Sequence, residues 1–182
     1  LLQDANNSDK VRYISNNTGE FQFGIVGDNG ISGKTEHMRI DSSGTVGIGV
    51  TPSNWGTSSD FRGLQIGTGG VLYGRGSGDG GKVGLLANIF RDNGADRFEY
   101  ITSSYGSAYQ QNDGAHYFDT AVSGSANAAV TLVRQMTIDS GGNVGIGTSA
   151  PGTSKLKVYN STVSGNTRLH IHNDKSGDAA EL

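Results

Sequence analysis

The sequence predicts an all-β chain of short strands and hairpins, organised as a repeated, elongated array of intertwined copies. Glycine accounts for 30 of the 182 residues and glutamate for only four, so residues that favour helices are scarce. Leu, Ile, Val and Phe together supply 39 residues, which is close to the lower limit for a chain that folds around its own core. A twelve-residue block also occurs twice. We therefore expect several copies of the chain to share one core.

Composition and charge exclude several classes of protein. The formal net charge of -3 is small and the charged residues are scattered, so no nucleic-acid partner is expected. No cysteine is present, which rules out disulfides and thiolate metal sites. No apolar run is long enough to span a bilayer, and the first residues do not have the pattern of a signal peptide. We therefore expect no membrane insertion.

The repeated block is the strongest pattern in the chain. Met38–Gly49 and Met136–Gly147 are identical at nine of twelve positions, at a constant offset of 98 residues. In each copy an Asp-x-x-Gly segment separates two runs in which apolar residues alternate with other residues, which is typical of a β-hairpin. Asp41 and Asp139 stand where a carboxylate can accept hydrogen bonds from the turn backbone.

Glycines occupy every second position after the turn of each block. These are Gly47 and Gly49 in the first copy, and Gly145 and Gly147 in the second. A strand face without side chains allows another backbone to approach closely. We therefore expect close backbone contacts at all four glycines, within one chain or between chains.

Two further patterns divide the chain into repeat units. DKVRYIS at Asp9–Ser15 resembles DRFEYIT at Asp96–Thr102 at an offset of 87, which gives the second copy about eleven extra residues. Short Leu-x-β-branched strands follow at Leu64–Ile66, Leu156–Val158 and Leu169–Ile171. Residues 1–52 are thus the end of one unit, 53–151 a complete second unit and 152–182 the start of a third.

The remaining segments read as strands between turn residues. One short helical turn is expected near Ser53–Asp60, after Pro52. The predicted strands, each with alternating or β-branched apolar residues, are Val11–Ser15, Phe21–Val26, Gly70–Tyr73, Val83–Ala87, Arg97–Thr102, His116–Ala121 and Ala128–Gln135.

Sequence motifs for cofactors and metals favour ordinary structural roles. Gly76–Lys82 matches part of a phosphate-binding loop, but Val83 replaces the Ser or Thr that would bind magnesium and no amphipathic helix follows. Thirteen aspartates suggest calcium, yet they lack the tight glycine-aspartate repeat of a calcium β-roll, and turn capping explains them better. We expect no cofactor.

His170 and His172 are the sharpest metal candidates. They share one strand face, and three such strands around a threefold axis would offer six imidazoles to an octahedral ion. The corresponding positions of the other Leu-x-β-branched strands carry Gln65 and Lys157, which we expect to face solvent. Both histidines are then expected to point outward, so we expect no metal site.

Catalytic signatures are absent from the sequence. No G-x-S-x-G element occurs, and with four glutamates a paired-carboxylate glycosidase would depend on aspartates. We therefore expect the protein not to be an enzyme.

Four aromatic residues between the repeat blocks are candidates for sugar contact. They are Trp55, Tyr105, Tyr109 and Tyr117, and Gln110, Gln111 and Asn112 offer hydrogen bonds beside them. The alternative, which the small core favours, is that these rings pack between strands. Binding, if it occurs, is expected in Gly84–Ala121, where the second copy is longer than the first.

The M-x-I-D-x-x-G-x-V-G-I-G block, followed by proline and a Leu-x-Val strand, resembles repeats of bacteriophage tail-fibre and related virion fibre proteins. Such fibres often end in a self-cleaving intramolecular chaperone, which is not visible in this sequence. The resemblance is specific over two stretches of about twenty residues and looser between them. It implies a homotrimeric β-rich segment with three parallel chains.

The resemblance also sets the functional expectation. It implies a structural and adhesion segment of a virion fibre that supports attachment to a host receptor. The implied partners are two further copies of the chain, other fibre or baseplate proteins and a host cell-surface glycan. The alternatives are a bacterial surface adhesin or extracellular filament protein and, with less support, a tailspike glycan depolymerase.

Overall fold

The protein is all-β, as the sequence predicts. The computed structural model describes residues 2–3, 11–26, 33–55, 61–76, 81–92 and 97–160, and these form strands and turns with no helix. The predicted helical turn is therefore wrong for Ser53–Trp55, while residues 56–60 lie outside the described residues.

The described residues form fifteen strands. In chain order they are β1 (Leu2–Gln3), β2 (Val11–Asn17), β3 (Glu20–Val26), β4 (Thr35–Ile40), β5 (Val46–Ile48), β6 (Phe61–Ile66), β7 (Gly70–Arg75), β8 (Lys82–Ala87), β9 (Ile89–Arg91), β10 (Phe98–Tyr100), β11 (Ser104–Asn112), β12 (Ala115–Gly124), β13 (Val133–Ile138), β14 (Val144–Ile146) and β15 (Leu156–Val158).

Thirteen of these strands form one long sheet, in which they lie side by side in chain order. Neighbours are antiparallel except for the parallel pairs β5–β6 and β14–β15. Strands β9 and β10 pair separately as a two-stranded sheet. At about 4.8 Å between neighbouring strands the long sheet extends for about 58 Å. Each repeat therefore lengthens the sheet in one direction.

The repeated block forms the same hairpin twice, β4–β5 and β13–β14, which confirms the hairpin prediction. Asp41 Oδ1 accepts hydrogen bonds from the backbone N–H groups of Ser43 and Thr45, both at 2.9 Å. The Oδ1 atom of Asp139 accepts two equivalent bonds at 2.9 and 2.8 Å. Both aspartates cap the turns as expected, because a carboxylate satisfies two donors that the turn leaves unpaired.

A parallel strand follows each hairpin. Val46 lies opposite Leu64 in the first copy, and Val144 lies opposite Leu156 in the second. The two Leu-x-β-branched strands are thus confirmed, and the third, Leu169–Ile171, lies outside the described residues. Alternation alone did not indicate their direction, since it is the same for parallel and antiparallel strands.

The structural repeat extends further than the sequence repeat. Strands β2–β3–β4 and β11–β12–β13 have the same antiparallel pairing, with an irregularity after Phe23 in the first set and after Phe118 in the second. Strand β11 is therefore the counterpart of β2, although no strand was predicted there. The alignment of Asp9–Ser15 with Asp96–Thr102 is wrong, because the second segment contributes β10 instead.

Two insertions distinguish the second copy. The paired Leu2 and Arg12 are ten positions apart in the sequence, whereas the paired Ala87 and Ser107 are twenty positions apart. The longer segment contains β9 and β10. The loop between the last paired residues of β12 and β13 is also longer by three residues, since Thr120 and Val133 are 13 positions apart, whereas Ile25 and Thr35 of β3 and β4 are 10 apart. This connection contains Ala128–Leu132, so the predicted strand Ala128–Gln135 begins too early; β13 begins at Val133.

Asn88 anchors the longer insertion. It has a positive φ of 59°, which asparagine tolerates better than most residues. Its Oδ1 accepts a hydrogen bond from the Thr102 N–H at 2.8 Å, and its Nδ2 donates to the carbonyls of Thr102 and Tyr105, both at 3.0 Å. These bonds tie both ends of the β9–β10 segment to the long sheet.

The core lies between the middle of the long sheet and the β9–β10 segment. Tyr73 is central to it, with the Phe61 ring centroid at 5.5 Å and the Trp55 centroid at 6.3 Å. The buried residues of this cluster are Trp55, Phe61, Val71, Tyr73, Leu86, Ile89, Phe90, Tyr100, Ala108 and Ala121. They all lie on one side of the long sheet or in the segments that cover it.

The repeated glycines lie at close contacts at three of the four predicted positions. A Cβ atom on Gly47 would collide with the Val50 carbonyl oxygen, one on Gly145 would lie 2.6 Å from that of Thr148, and one on Gly147 would collide with that of Tyr159. The prediction is wrong for Gly49, which has open space around it. Gly49 is required instead for its φ of 66°.

We predict that Gly145→Ala lowers the free energy of unfolding by about 1–3 kcal/mol, the usual cost of overpacking. Gly69→Ala is the matched control, because no atom lies within 4 Å of its Cβ position and its φ is not positive. Thermal or urea unfolding measures the difference. Equal stability of the two variants would contradict a steric role for Gly145.

The turn carboxylate of Asp139 predicts a pH dependence. The backbone N–H of Asn143, followed by its side-chain amide, lowers the pKa of Asp139 below its ordinary value. The resulting stabilisation is present above the unfolded-state pKa of about 3.9 and is lost as the pH falls through the lower folded-state pKa. Unfolding at a series of pH values should thus show Asp139→Asn less stable than the natural protein at neutral pH. The difference in free energy of unfolding between the two proteins should become smaller in acid. A difference that is constant with pH would contradict this role.

Candidate functional site

The two faces of the long sheet differ sharply in exposure. In β6, Ile66 is 56% exposed, whereas its neighbour Gln65 is 1% exposed. The Oε1 atom of Gln65 accepts a hydrogen bond from the Ser53 N–H at 2.8 Å, and its Nε2 donates to the Gly67 carbonyl at 3.3 Å. The expectation that Gln65 faces solvent is therefore wrong. The apolar positions lie on the side that the described residues leave uncovered, which we call the open face.

An unbroken row of apolar and aromatic residues crosses the open face. Each residue of the row is directly opposite the next one on the neighbouring strand, over eleven strands from β3 to β15. The row comprises Phe21, Ile40, Val46, Leu64, Leu72, Leu85, Tyr109, Phe118, Met136, Ile146 and Val158. At about 4.8 Å between strands it is about 48 Å long.

A second apolar row flanks the first over strands β2 to β6. It comprises Ile14, Phe23, Met38, Ile48 and Ile66. Same-face residues are about 7 Å apart along a strand, so the first row alone covers roughly 340 Å², and the second row adds to it. Soluble monomers rarely expose apolar patches larger than a few hundred Å², and larger ones mark association surfaces. The open face is therefore a large continuous apolar surface.

A small polar cluster interrupts the apolar character near the middle of the open face. Tyr109 Oη and His116 Nδ1 are 2.7 Å apart in a hydrogen bond, and Gln111 Nε2 donates to Tyr109 Oη at 3.1 Å. The Tyr109 ring also packs on Phe118, with 4.9 Å between the centroids. Tyr109 is therefore part of the open face, and its role as a sugar contact stays a prediction.

The four aromatic candidates from the sequence do not form one site. Trp55 is 1% exposed and packs in the core, so its assignment as a sugar contact is wrong. Tyr105 is 71% exposed at the end of β11. Tyr117 lies on the face opposite Tyr109, where the Arg134 guanidinium stacks over its ring at 3.6 Å.

A hydrogen-bonded chain of buried polar groups crosses the covered face. Tyr73 Oη donates to Gln110 Oε1 at 3.1 Å, Gln110 Nε2 donates to Asp119 Oδ2 at 3.3 Å, and Arg134 Nε donates to Asp119 Oδ1 at 3.0 Å. Burial raises the pKa of Tyr73 to about 12, so its hydroxyl remains a donor at neutral pH. The sequence pointed to Gln110 but not to Asp119 or Arg134.

The remaining sequence motifs gain no support as sites. Residues 77–80 of the glycine-rich Gly76–Lys82 segment lie outside the described residues, and Lys82 begins a strand rather than a helix. His170 and His172 also lie outside them. Within the described ranges, no group of three or more His, Cys, Asp or Glu side chains is placed to hold a metal ion. The same ranges contain no helix that could cross a bilayer.

Comparison with known proteins adds no assignment. No family model matches the sequence. No curated protein matches it either. The functional argument therefore starts from the repeat and the open face.

We predict that Tyr109→Ala lowers the free energy of unfolding by about 1–3 kcal/mol, because it removes an aromatic contact and a hydrogen bond. Tyr105→Ala should change it by less than about 0.5 kcal/mol, as is usual for an exposed position. Chemical unfolding of both variants tests this difference. If Tyr105→Ala lost more stability than Tyr109→Ala, the prediction would be wrong, and Tyr105 rather than Tyr109 would be the packed residue.

Proposed function

We propose that the chain is a structural segment of a homotrimeric fibre, of the virion tail-fibre class that its repeats resemble. In this proposal the open faces of three copies turn inward and form a common core. The observation that carries it is the row of eleven apolar and aromatic residues on a face that the described part of the chain leaves uncovered. Burying this row would supply the core that the composition lacks.

The dimensions of the sheet suit three copies around an axis. A six-residue strand such as β6 is about 20 Å long. Three sheets of that width form a triangular prism whose faces lie about 6 Å from the axis, close to half of the usual 10 Å spacing between packed sheets. One layer of side chains from each open face would therefore fill the interior.

The direction of growth suits a fibre shaft. Because strands adjacent in the chain are adjacent in the long sheet, further repeats extend it along the same axis. Such a segment would hold a receptor-binding tip away from the virion, with other fibre or baseplate proteins at its ends. This role requires a sheet that is continuous along the fibre and requires no catalytic activity.

The test is the mass of the assembly. Sedimentation equilibrium should give three times the chain mass of 18.9 kDa. Leu85→Asp should abolish the trimer, because it would place three carboxylates in the apolar interior. Leu85→Met is the matched control and should preserve the trimer, since it nearly conserves volume and hydrophobicity.

A folded, stable monomer of the natural sequence would contradict the proposal. A trimer that survives Leu85→Asp would show that the chains associate through another surface. Circular dichroism on the same samples distinguishes loss of assembly from loss of folding.

A further inference from the structure

A cavity of about 450 Å³ lies on the covered face of the sheet, opposite the side that we propose for assembly. Its volume falls in the range of about 300–1,000 Å³ that is typical of small-molecule sites. Polar and apolar side chains both line it. They are Phe98, Gln110, Asp119, Val130, Leu132, Arg134 and Ser149.

Both insertions of the second copy contribute to this cavity. Phe98 comes from β10, and Val130 and Leu132 come from the lengthened connection between β12 and β13. In the first copy, Gly24 and Glu36 form the pair that corresponds to Asp119 and Arg134. The cavity and its charged pair thus belong to the part in which the two copies differ, while the repeated hairpins stay the same.

The charged pair retains unused hydrogen-bonding capacity. Asp119 is 4% exposed and accepts from Arg134 Nε at 3.0 Å, from Arg134 Nη2 at 3.5 Å and from Gln110 Nε2 at 3.3 Å. Its carboxylate has about four acceptor positions, so one remains. Among the described residues, the five N–H donors of Arg134 make only two hydrogen bonds, both to Asp119, and three are left.

Neighbouring groups hold this pair in a fixed orientation. The Tyr117 ring lies 3.6 Å from the Arg134 guanidinium and supports its flat face. Tyr73 donates to Gln110 at 3.1 Å, which orients the Gln110 amide to donate toward Asp119. A ligand would therefore meet preorganised donors and an acceptor, with little ordering left to occur on binding.

We propose that this cavity binds a neutral, hydroxyl-rich saccharide unit. Adjacent sugar hydroxyls both donate and accept, so one can donate to Asp119 while its neighbour accepts from Arg134. Val130 and Leu132 offer apolar contacts to the C–H face of the ring. The carboxylate and guanidinium charges cancel, so the site has no net charge that would favour an acidic sugar.

Only the accessibility of the cavity in the assembled fibre rests on the proposed function. If the open faces meet in the interior of the fibre, the covered face points outward and the cavity is accessible to a surface glycan. Binding itself requires only the folded chain, so it can be tested whatever the assembly state.

The experiment is a titration of the full chain with the neutral disaccharides maltose and lactose and with the acidic sugar glucuronate. Saturation-transfer NMR or calorimetry should detect at least one neutral disaccharide in the millimolar range, with glucuronate weaker. No binding of either disaccharide would overturn the proposal, and so would tighter binding of glucuronate. Sedimentation of the same samples reports on the trimer independently.

Two variants locate the binding in the cavity. The double variant Asp119→Asn, Arg134→Gln removes both charges together, so neither is left buried and unpaired, and should weaken sugar binding at least about tenfold. Ser149→Trp should block the cavity from an exposed loop position without entering the core.

The matched control for Ser149→Trp is Thr51→Trp, in the corresponding exposed loop of the first copy. It should leave sugar affinity unchanged. Loss of binding in both tryptophan variants, or in neither, would overturn the assignment to this cavity. Thermal unfolding of each variant ensures that only folded protein is compared.

Discussion

The structure depends on the period-two alternation of the long sheet and on the sharply different covering of its two faces. Alternate residues place an apolar row on the open face, and the same alternation places Gly47, Gln65 and Gly145 on the other face. Backbone segments approach that second face closely because the glycines have no side chains there. The described part of the chain therefore covers the face that carries these glycines and leaves the apolar row on the other face exposed.

The two copies of the repeat have the same hairpins but differ in the segments inserted between their strands. Their hairpins share the capped Asp-x-x-Gly turn and the parallel strand that follows, so both elongate the sheet in the same way. Among the described residues, the β9–β10 segment belongs to the second copy, and the main core cluster forms beneath it. The insertion thus converts a bare stretch of sheet into a two-layer structure, while the repeated hairpins keep the sheet continuous.

Local chemistry explains which features the sequence could predict. The capped hairpins were predictable because Asp41 and Asp139 act on residues two and four positions away. The burial of Gln65 was not, because it depends on the Ser53 backbone folding over that face. Strand β11 was missed since its Ser, Tyr and Gln residues resemble a recognition loop, and the parallel pairing was missed since alternation has no direction. The burial of Gln65 and the parallel pairing both depend on segments that are not adjacent in the chain, whereas β11 lies in a local hairpin whose polar composition concealed it.

The cavity shows how corresponding strands of the two copies can differ on one face only. Both copies have a register shift after a phenylalanine on the third strand before the parallel strand, at Phe23 and at Phe118. In each case the extra residue lies on the following strand, His37 in β4 and Gln135 in β13, so the alternation of β3 and β12 themselves is unbroken. The residue after the phenylalanine therefore faces the covered side. In the first copy it is Gly24, which has no side chain, whereas in the second it is Asp119, which bonds Arg134 and Gln110. Phe118 meanwhile remains in the apolar row. Ordinary alternation thus lets one face of this strand stay apolar in both copies, while the other face gains a charged side chain in the second copy only.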